Sequence, residues 1–181
     1  DNNAKTSQTQ LTVGTRPRPD LQVDPLTIVA KDAVGEDRFL SVSFDVVNQG
    51  NVPTSGTIWH DRVYLSLDKL VSNDDLLLAE LDSKSALGLG GRYTSTTPTV
   101  EIPIRYRGEM FVLVQADARG QINEWPNEDN NVVAHPIHVV PQPIADLMVT
   151  RVIAPPQVSD GSEVAVEFTI ANRGSGSTNV D

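Results

Sequence analysis

Apolar and polar residues alternate with period two along most of the first 140 residues, which predicts strands with one buried face rather than helices. Over 39–50, Leu40, Val42, Phe44 and Val46 share one parity and Ser41, Ser43 and Asp45 the other, until Asn48-Gln49-Gly50 stops the run. Over 58–68, the inward parity carries Trp59, Val63, Leu65 and Leu67. Segments 76–81 and 93–104 are two more strands, parted by the turn Gly88-Leu89-Gly90-Gly91, and 109–118 sets Met110, Val112, Val114 and Ala116 on one face. Segment 132–140 closes the set and 20–29 opens it. Seven short strands in about 120 residues, with no helical pattern, predict an all-β, seven-stranded immunoglobulin-like sandwich.

The pattern then starts again. Asp146-Leu147 stands 126 residues after Asp20-Leu21, and Asn172 stands 124 after Asn48, so the second copy is two residues shorter before that point. Val166, Phe168 and Ile170 take the places of Val42, Phe44 and Val46. At the other end, "DNN" at Asp1 echoes "DNN" at Asp129, and the residues after each run on alike. A period of this size is that of a domain, not of a solenoid. The predicted organisation is a tandem repeat with partial neighbouring copies at both ends. Residues 1–13 form the C-terminal strand of a preceding repeat, 14–19 a linker, and 20–140 a complete repeat. Residues 141–145 form a second linker and 146–181 the first two strands of the next repeat. Both linkers are short and carry proline, which predicts semi-rigid spacing of neighbouring copies. Unpaired sheet edges at the two partial copies make self-association a further expectation.

Composition narrows the function. The net charge is −10, so nucleic acid, which needs a basic face, is not expected as a partner. Cysteine is absent, which excludes disulfides, thiolate metal sites and cysteine nucleophiles. No run of about 18 apolar residues predicts a membrane helix. No leader is seen before Asp1, so export implies one that has been removed or that lies outside these residues. No nucleophile elbow occurs, and Gly88–Gly91 lies between strands with no helix after it, so it reads as a turn and not a phosphate loop.

In order and spacing, "PDLQV", "VNQG", "WHDRVYLSLD", "NDDLLLAE" and "VQADARGQINEWPNEDNN" resemble the CARDB module, the cell-adhesion-related domain found in bacteria. The resemblance implies an immunoglobulin-like sandwich repeated in large exported or surface proteins, with no chemistry of its own. The expected function is a non-catalytic structural or adhesion repeat of an extracellular bacterial surface protein or filament. Its partners would be neighbouring repeats and a surface ligand. The alternative is an accessory or carbohydrate-binding domain of a secreted hydrolase, although aromatic content of 5% leaves few stacking residues for sugar.

One pole of the predicted sandwich is a candidate metal site. The third strand starts, and the sixth ends, at the same end of one sheet, so Asp61 and Asp117 should meet beneath a loop carrying Glu124, Glu128, Asp129 and Asn130. Several carboxylates plus amide carbonyls are the oxygen ligands that Ca²⁺ takes. The competing reading is a polar turn in which these side chains bond backbone, with Asp61 accepting loop N–H groups or pairing with Arg62 or Arg119. Trp59 is expected in the core and Trp125 in the loop, capping the sheet end or exposed. The acidic stretch 68–75 is read as a solvated hairpin loop at the other pole, and His60, His135 and His138 as surface groups rather than a transition-metal set.

Overall fold

The structure, a computed structural model, describes residues 14, 16–30, 33–34, 38–84, 86–141 and 143–178. The strand expected within 1–13 lies outside the described residues. Described strands are β1 (Leu21–Val23), β2 (Ala33–Val34), β3 (Phe39–Leu40), β4 (Ser43–Asn48), β5 (His60–Ser66), β6 (Leu76–Asp82), β7 (Arg92–Thr96), β8 (Val100–Glu101), β9 (Gly108–Gln115), β10 (Val132–Val139), β11 (Leu147–Ile153) and β12 (Glu167–Asn172). The protein is all-β. A three-stranded sheet β1-β4-β7 faces a five-stranded sheet β2-β10-β9-β5-β6, and one continuous apolar cluster lies between them. This is an immunoglobulin-like sandwich.

The alternation explains which side chains fill it. Leu21, Val23, Phe44 and Val46 come from the first sheet, and Trp59, Val63, Leu65, Val112, Val114 and Val139 from the second; all are buried. β-Branched and aromatic residues at alternate positions suit a pleated half-buried surface, and their burial supplies the main stabilising term.

The structure corrects the sequence reading in several places. Segment 39–50 is not one strand: β3 pairs with β8, while β4 pairs with β1 and β7. Between them, the Val42 N–H leaves the ladder and donates to Thr97 Oγ1 at 3.0 Å. Segment 93–104 likewise divides into β7, paired with β4, and β8, paired with β3. Leu67 shares the inward parity but is 70% exposed, because β5 ends at Ser66, whose Oγ accepts the Asp68 N–H at 3.1 Å and turns the chain. The short β2, with no periodicity to betray it, runs parallel to the end of β10. Buried Arg38 holds a left-handed φ of 54° and donates to the carbonyls of Ile102 (2.8 Å), Pro103 (2.7 Å) and Tyr106 (2.9 Å).

Outside the sandwich, β11 and β12 form a two-stranded antiparallel hairpin in the register of β1 and β4. Leu147 stands opposite Asn172 as Leu21 does opposite Asn48, and Ile153 opposite Glu167 as Val29 does opposite Ser43. The two-residue difference is taken up at an irregularity between Val149 and Arg151. Asn48 Oδ1 accepts the N–H groups of Asp20 (3.1 Å) and Gly50 (3.0 Å), and Asn172 Oδ1 those of Asp146 (2.9 Å) and Gly174 (3.0 Å). Both asparagines also donate from Nδ2 four residues onward, to Val52 O at 2.9 Å and Gly176 O at 2.6 Å. The glycine two residues after each asparagine is required. A Cβ at Gly50 would stand 2.4 Å from Arg18 O, and one at Gly174 2.1 Å from Ile144 O.

Candidate functional site

Antiparallel pairing of β5 and β9, with Arg62 opposite Gln115, brings Asp61 and Asp117 to one end of the five-stranded sheet. Asp61 points inward and is fully buried. Tyr93, on β7 of the facing sheet, donates its hydroxyl to Asp61 Oδ2 and accepts the Trp59 indole N–H at 3.0 Å. Asp61 Oδ1 accepts the Asp117 N–H at 3.1 Å. Trp59, Tyr93 and Asp61 thus form a polar link through the core between the two sheets. Arg62 and Arg119, the cationic partners considered for Asp61, both bind Glu80 instead.

Asp117 adopts a φ of 42°, and its carboxylate closes the following loop, accepting the N–H groups of Gln121 (2.9 Å) and Ile122 (2.7 Å). The loop then folds back over the pole. Glu124 is 1% exposed; one carboxylate oxygen accepts the N–H of Leu21, the first residue of β1, and the other accepts Asn131 Nδ2, each at 2.5 Å. Glu128 accepts the Glu124 N–H at 2.8 Å. Asn127 and Asn130 donate from Nδ2 to the two oxygens of Asp20 at 3.2 and 3.0 Å. The loop therefore grips the chain just where the linker becomes β1. Asp129 is exposed, and so is Trp125, at 68%.

Burial sets the electrostatics. It pushes the Asp61 carboxyl up to about 6 against the opposing effect of the Tyr93 hydrogen bond. It pushes Glu124 up to about 7, partly offset by Asn131 and the Leu21 N–H. Asp117 is raised for the same reason, and the Tyr93 phenol is raised by burial and then by the Asp61 charge.

The sequence-predicted set is thus brought to one pole, where donors engage the carboxylates of Asp61, Asp117 and Glu124. Asp61, Asp117 and Glu124 each accept two hydrogen bonds, and Asn130 acts through its nitrogen, not its carbonyl oxygen. One buried acceptor, Asn131 Oδ1, has no hydrogen-bond partner. Among the described residues no group of three or more His, Cys, Asp or Glu side chains is arranged to hold a metal ion. These donors make the pole a hydrogen-bonded clasp.

Sequence reasoning missed Tyr93, Asn48 and Asp20. Besides the bonds already given, Asn48 Nδ2 reaches Leu87 O (3.3 Å) and Gly88 O (3.2 Å), which ties β1, β4 and the turn before β7 together. Recurrence of Asn-x-Gly at Asn172 was the available signal for Asn48. Tyr93→Phe is expected to leave Asp61 Oδ2 and Trp59 Nε1 unpaired in the core and to lower stability by about 2 kcal/mol, measured by urea unfolding. A loss below about 0.5 kcal/mol would show that the link is dispensable.

A cleft beside the clasp, about 220 Å³ and lined by Arg18, Gly50, Glu124, Trp125 and Asn127 among others, is smaller than the usual ligand pocket of about 300–1,000 Å³. Residues 18–135 match the CARDB family. The chain belongs to the CARDB family. CARDB is a family of non-catalytic β-sandwich domains. No curated protein matches. Among solved structures, the chain is similar to the crystal structure of the CARDB domain of the PF1109 protein from Pyrococcus furiosus in complex with di-metal ions. Identity is 22%, the TM-score is 0.52, and the match covers 71% of this chain and all (100%) of that one. The solution structure of the same domain gives 22% identity and a TM-score of 0.50 over 69% of this chain and 98% of that one. A β-glucosidase from Listeria innocua matches at 14% identity and a TM-score of 0.40 over 70% of this chain; the CARDB chain spans 16% of that enzyme. Among the described residues no helix is long and apolar enough to cross a membrane.

Proposed function

We propose that this CARDB chain is a stretch of a tandem array in an exported bacterial surface or adhesion-type protein. Each module would act as a non-catalytic structural unit that spaces or presents a ligand-binding region. The observation that carries the reading is the recurrence, at β11 and β12, of the register, asparagine clasp and glycine close approach of β1 and β4. Clamping of the chain just before β1 supports semi-rigid spacing: Arg18 donates its N–H to Asn51 Oδ1 at 2.9 Å and accepts the Asn51 N–H at 3.1 Å. An antibody raised against residues 20–140 tests the proposal. It is expected to label intact source cells without permeabilisation and to detect a protein far larger than 19.6 kDa. Labelling that needs permeabilisation would overturn the surface location, and a band near 19.6 kDa the array.

A second reading, Ca²⁺ stiffening of the array at this pole through Asp61, Asp117, Glu124, Glu128, Asp129 and Asn130, draws support from the metal ions on the related Pyrococcus domain and from the unpaired Asn131 Oδ1. The engagement of the buried carboxylates by N–H and O–H donors weighs against it. Melting with and without chelator separates the two.

A further inference from the structure

Stretches far apart in sequence line the cleft beside the clasp, and each is held in place by bonds of its own. Asn51 holds the linker: its Oδ1 accepts the Arg18 N–H at 2.9 Å, and its N–H donates to Arg18 O at 3.1 Å. In the loop, the buried carboxylate anchors Glu124, and the Asn127 N–H closes a turn onto Glu124 O at 3.1 Å. Asn127 Nδ2 then ties that turn to Asp20 at 3.2 Å. Trp125 rides on this fastened turn with 68% of its surface exposed. Exposure alone says little, since single apolar side chains are common on protein surfaces. What sets Trp125 apart is its company in the cleft, which includes Arg18, Asp20, Gln49, Asn51 and Asn127 but no second aromatic ring. Much of the hydrogen-bonding capacity of these walls is unspent. Among the described residues no hydrogen bond or ion pair reaches the Arg18 guanidinium, the Gln49 amide, Asn51 Nδ2 or Asn127 Oδ1.

We propose that this cleft binds one neutral pyranose residue of a glycan, with the sugar's apolar face on the Trp125 indole and its hydroxyls bonded by Arg18, Gln49, Asn51 and Asn127. Size, chemistry and charge select this ligand. A cavity of about 150 Å³ holds one benzene ring, so the 220 Å³ here accommodates a single six-membered ring with its hydroxyl groups and not a longer chain. A pyranose carries C–H groups on one face and, around its rim, hydroxyls that both donate and accept. An indole face flanked by amides matches both, because each Asn or Gln side chain offers a donor and an acceptor. Arg18 is the one cation on the walls, against the carboxylates of Asp20 and Glu124, and Glu128 and Asp129 follow in the same loop. That balance disfavours a phosphate or a sugar acid. A proline-rich peptide is read by grooves lined with several aromatic rings, and this cleft has one. Walls already fastened by Asn51 and by the turn at Glu124 lower the ordering cost of binding. The inference gives the module a ligand of its own and stands whether or not the array reading does.

Magnetic resonance titration of the isotope-labelled 181-residue protein tests the proposal. The probes are the methyl glycosides of glucose, galactose and mannose, and N-acetylglucosamine. At least one is expected to shift the Trp125 indole N–H saturably, with a Kd on the order of 1 mM, and to move the Asn51 and Asn127 side-chain amides with it. Trp125→Ala is expected to weaken that binding at least about 10-fold and Trp125→Phe by less, since a ring remains to stack on. Neither change should move the urea midpoint, because the indole is largely exposed. Glycerol, which has hydroxyls but no ring, and glucuronate, which adds a charge, are expected to leave these signals in place. Absence of a saturable shift with every one of the sugars would overturn the proposal, as would unchanged affinity in Trp125→Ala. An equal response to glycerol would reduce the cleft to an adventitious polyol contact. A shift with an oligoproline peptide and none with sugar would make it a peptide groove, and either result ends the glycan assignment.

Discussion

Asn48→Ala is expected to lower the unfolding free energy of the module by about 4 kcal/mol, read as a fall in urea midpoint at constant m-value. The side chain contributes almost nothing apolar; its importance is the number of backbone groups it satisfies. Two N–H groups (Asp20, Gly50) and the Val52 carbonyl depend on it, at a position with no solvent exposure, whereas the Leu87 and Gly88 carbonyls it also reaches already accept the Thr54 and Gly91 N–H groups. A buried backbone group left unpaired costs about 1–3 kcal/mol, and water can rescue those nearest the surface, so the total falls well below three full penalties. Asn48→Asp is expected to do little better. It keeps the acceptor for the two N–H groups but turns a negative oxygen toward three carbonyls. The loss should be accompanied by faster proteolysis within 16–20, the segment whose attachment begins at this side chain. A loss below about 1 kcal/mol would mean that the clasp does not depend on Asn48.

The second large effect is on pH. Glu124 titrates at about 7 in the folded module against 4.5 for the ordinary group, and Asp61 at about 6 against 3.8. Because folding raises both values, the folded state holds more protons than the unfolded one across the interval between them. The stabilisation is therefore full below about pH 4 and is lost as pH rises through about 6 to 7. Glu124 alone should make the module about 2 kcal/mol more stable near pH 5.5 than near pH 8, and Asp61 adds in the same sense. Glu124→Gln keeps an amide oxygen for the Leu21 N–H and has no proton to lose. It should flatten the profile and leave the variant more stable than the parent above about pH 7. Urea titrations over this range measure it. Parental stability that rises with pH between those limits, or a variant with the parental slope, would contradict the assignment.

How much of this was legible in the sequence depended on the kind of contact. Parity along one strand tells which face a residue occupies, so the alternation alone places Trp59, Asp61, Phe44 and Val114 in the interior. Parity says nothing about what lies across the gap between sheets. Asp61 was therefore offered Arg62 beside it and Arg119 at the same end of its own sheet, while its partner Tyr93 sits on the other sheet. Strand ends were equally hidden. Leu67 keeps the parity of Leu65 but leaves the core because a serine hydroxyl turns the chain one residue earlier. The acidic loop shows a third limit. Composition gathered Asp117, Glu124, Glu128 and Asn130 at one pole, but an oxygen-rich list does not reveal whether donors already fill those oxygens. Here backbone N–H groups and an asparagine nitrogen bond the carboxylates of Asp117 and Glu124 and one oxygen of Glu128, and an asparagine can serve a carboxylate as readily as a cation.

The claim that joins these observations is that the acidic pole of this CARDB module closes on itself, carboxylates against N–H and O–H donors, to fasten the start of β1. Thermal melting of the metal-stripped protein, in excess chelator and again in excess Ca²⁺, tests it most directly at about pH 8, where Glu124 is ionised and best able to take a cation. The account predicts the same melting temperature in both. A rise in Ca²⁺ that Glu124→Gln abolishes would contradict it and make the pole a metal site.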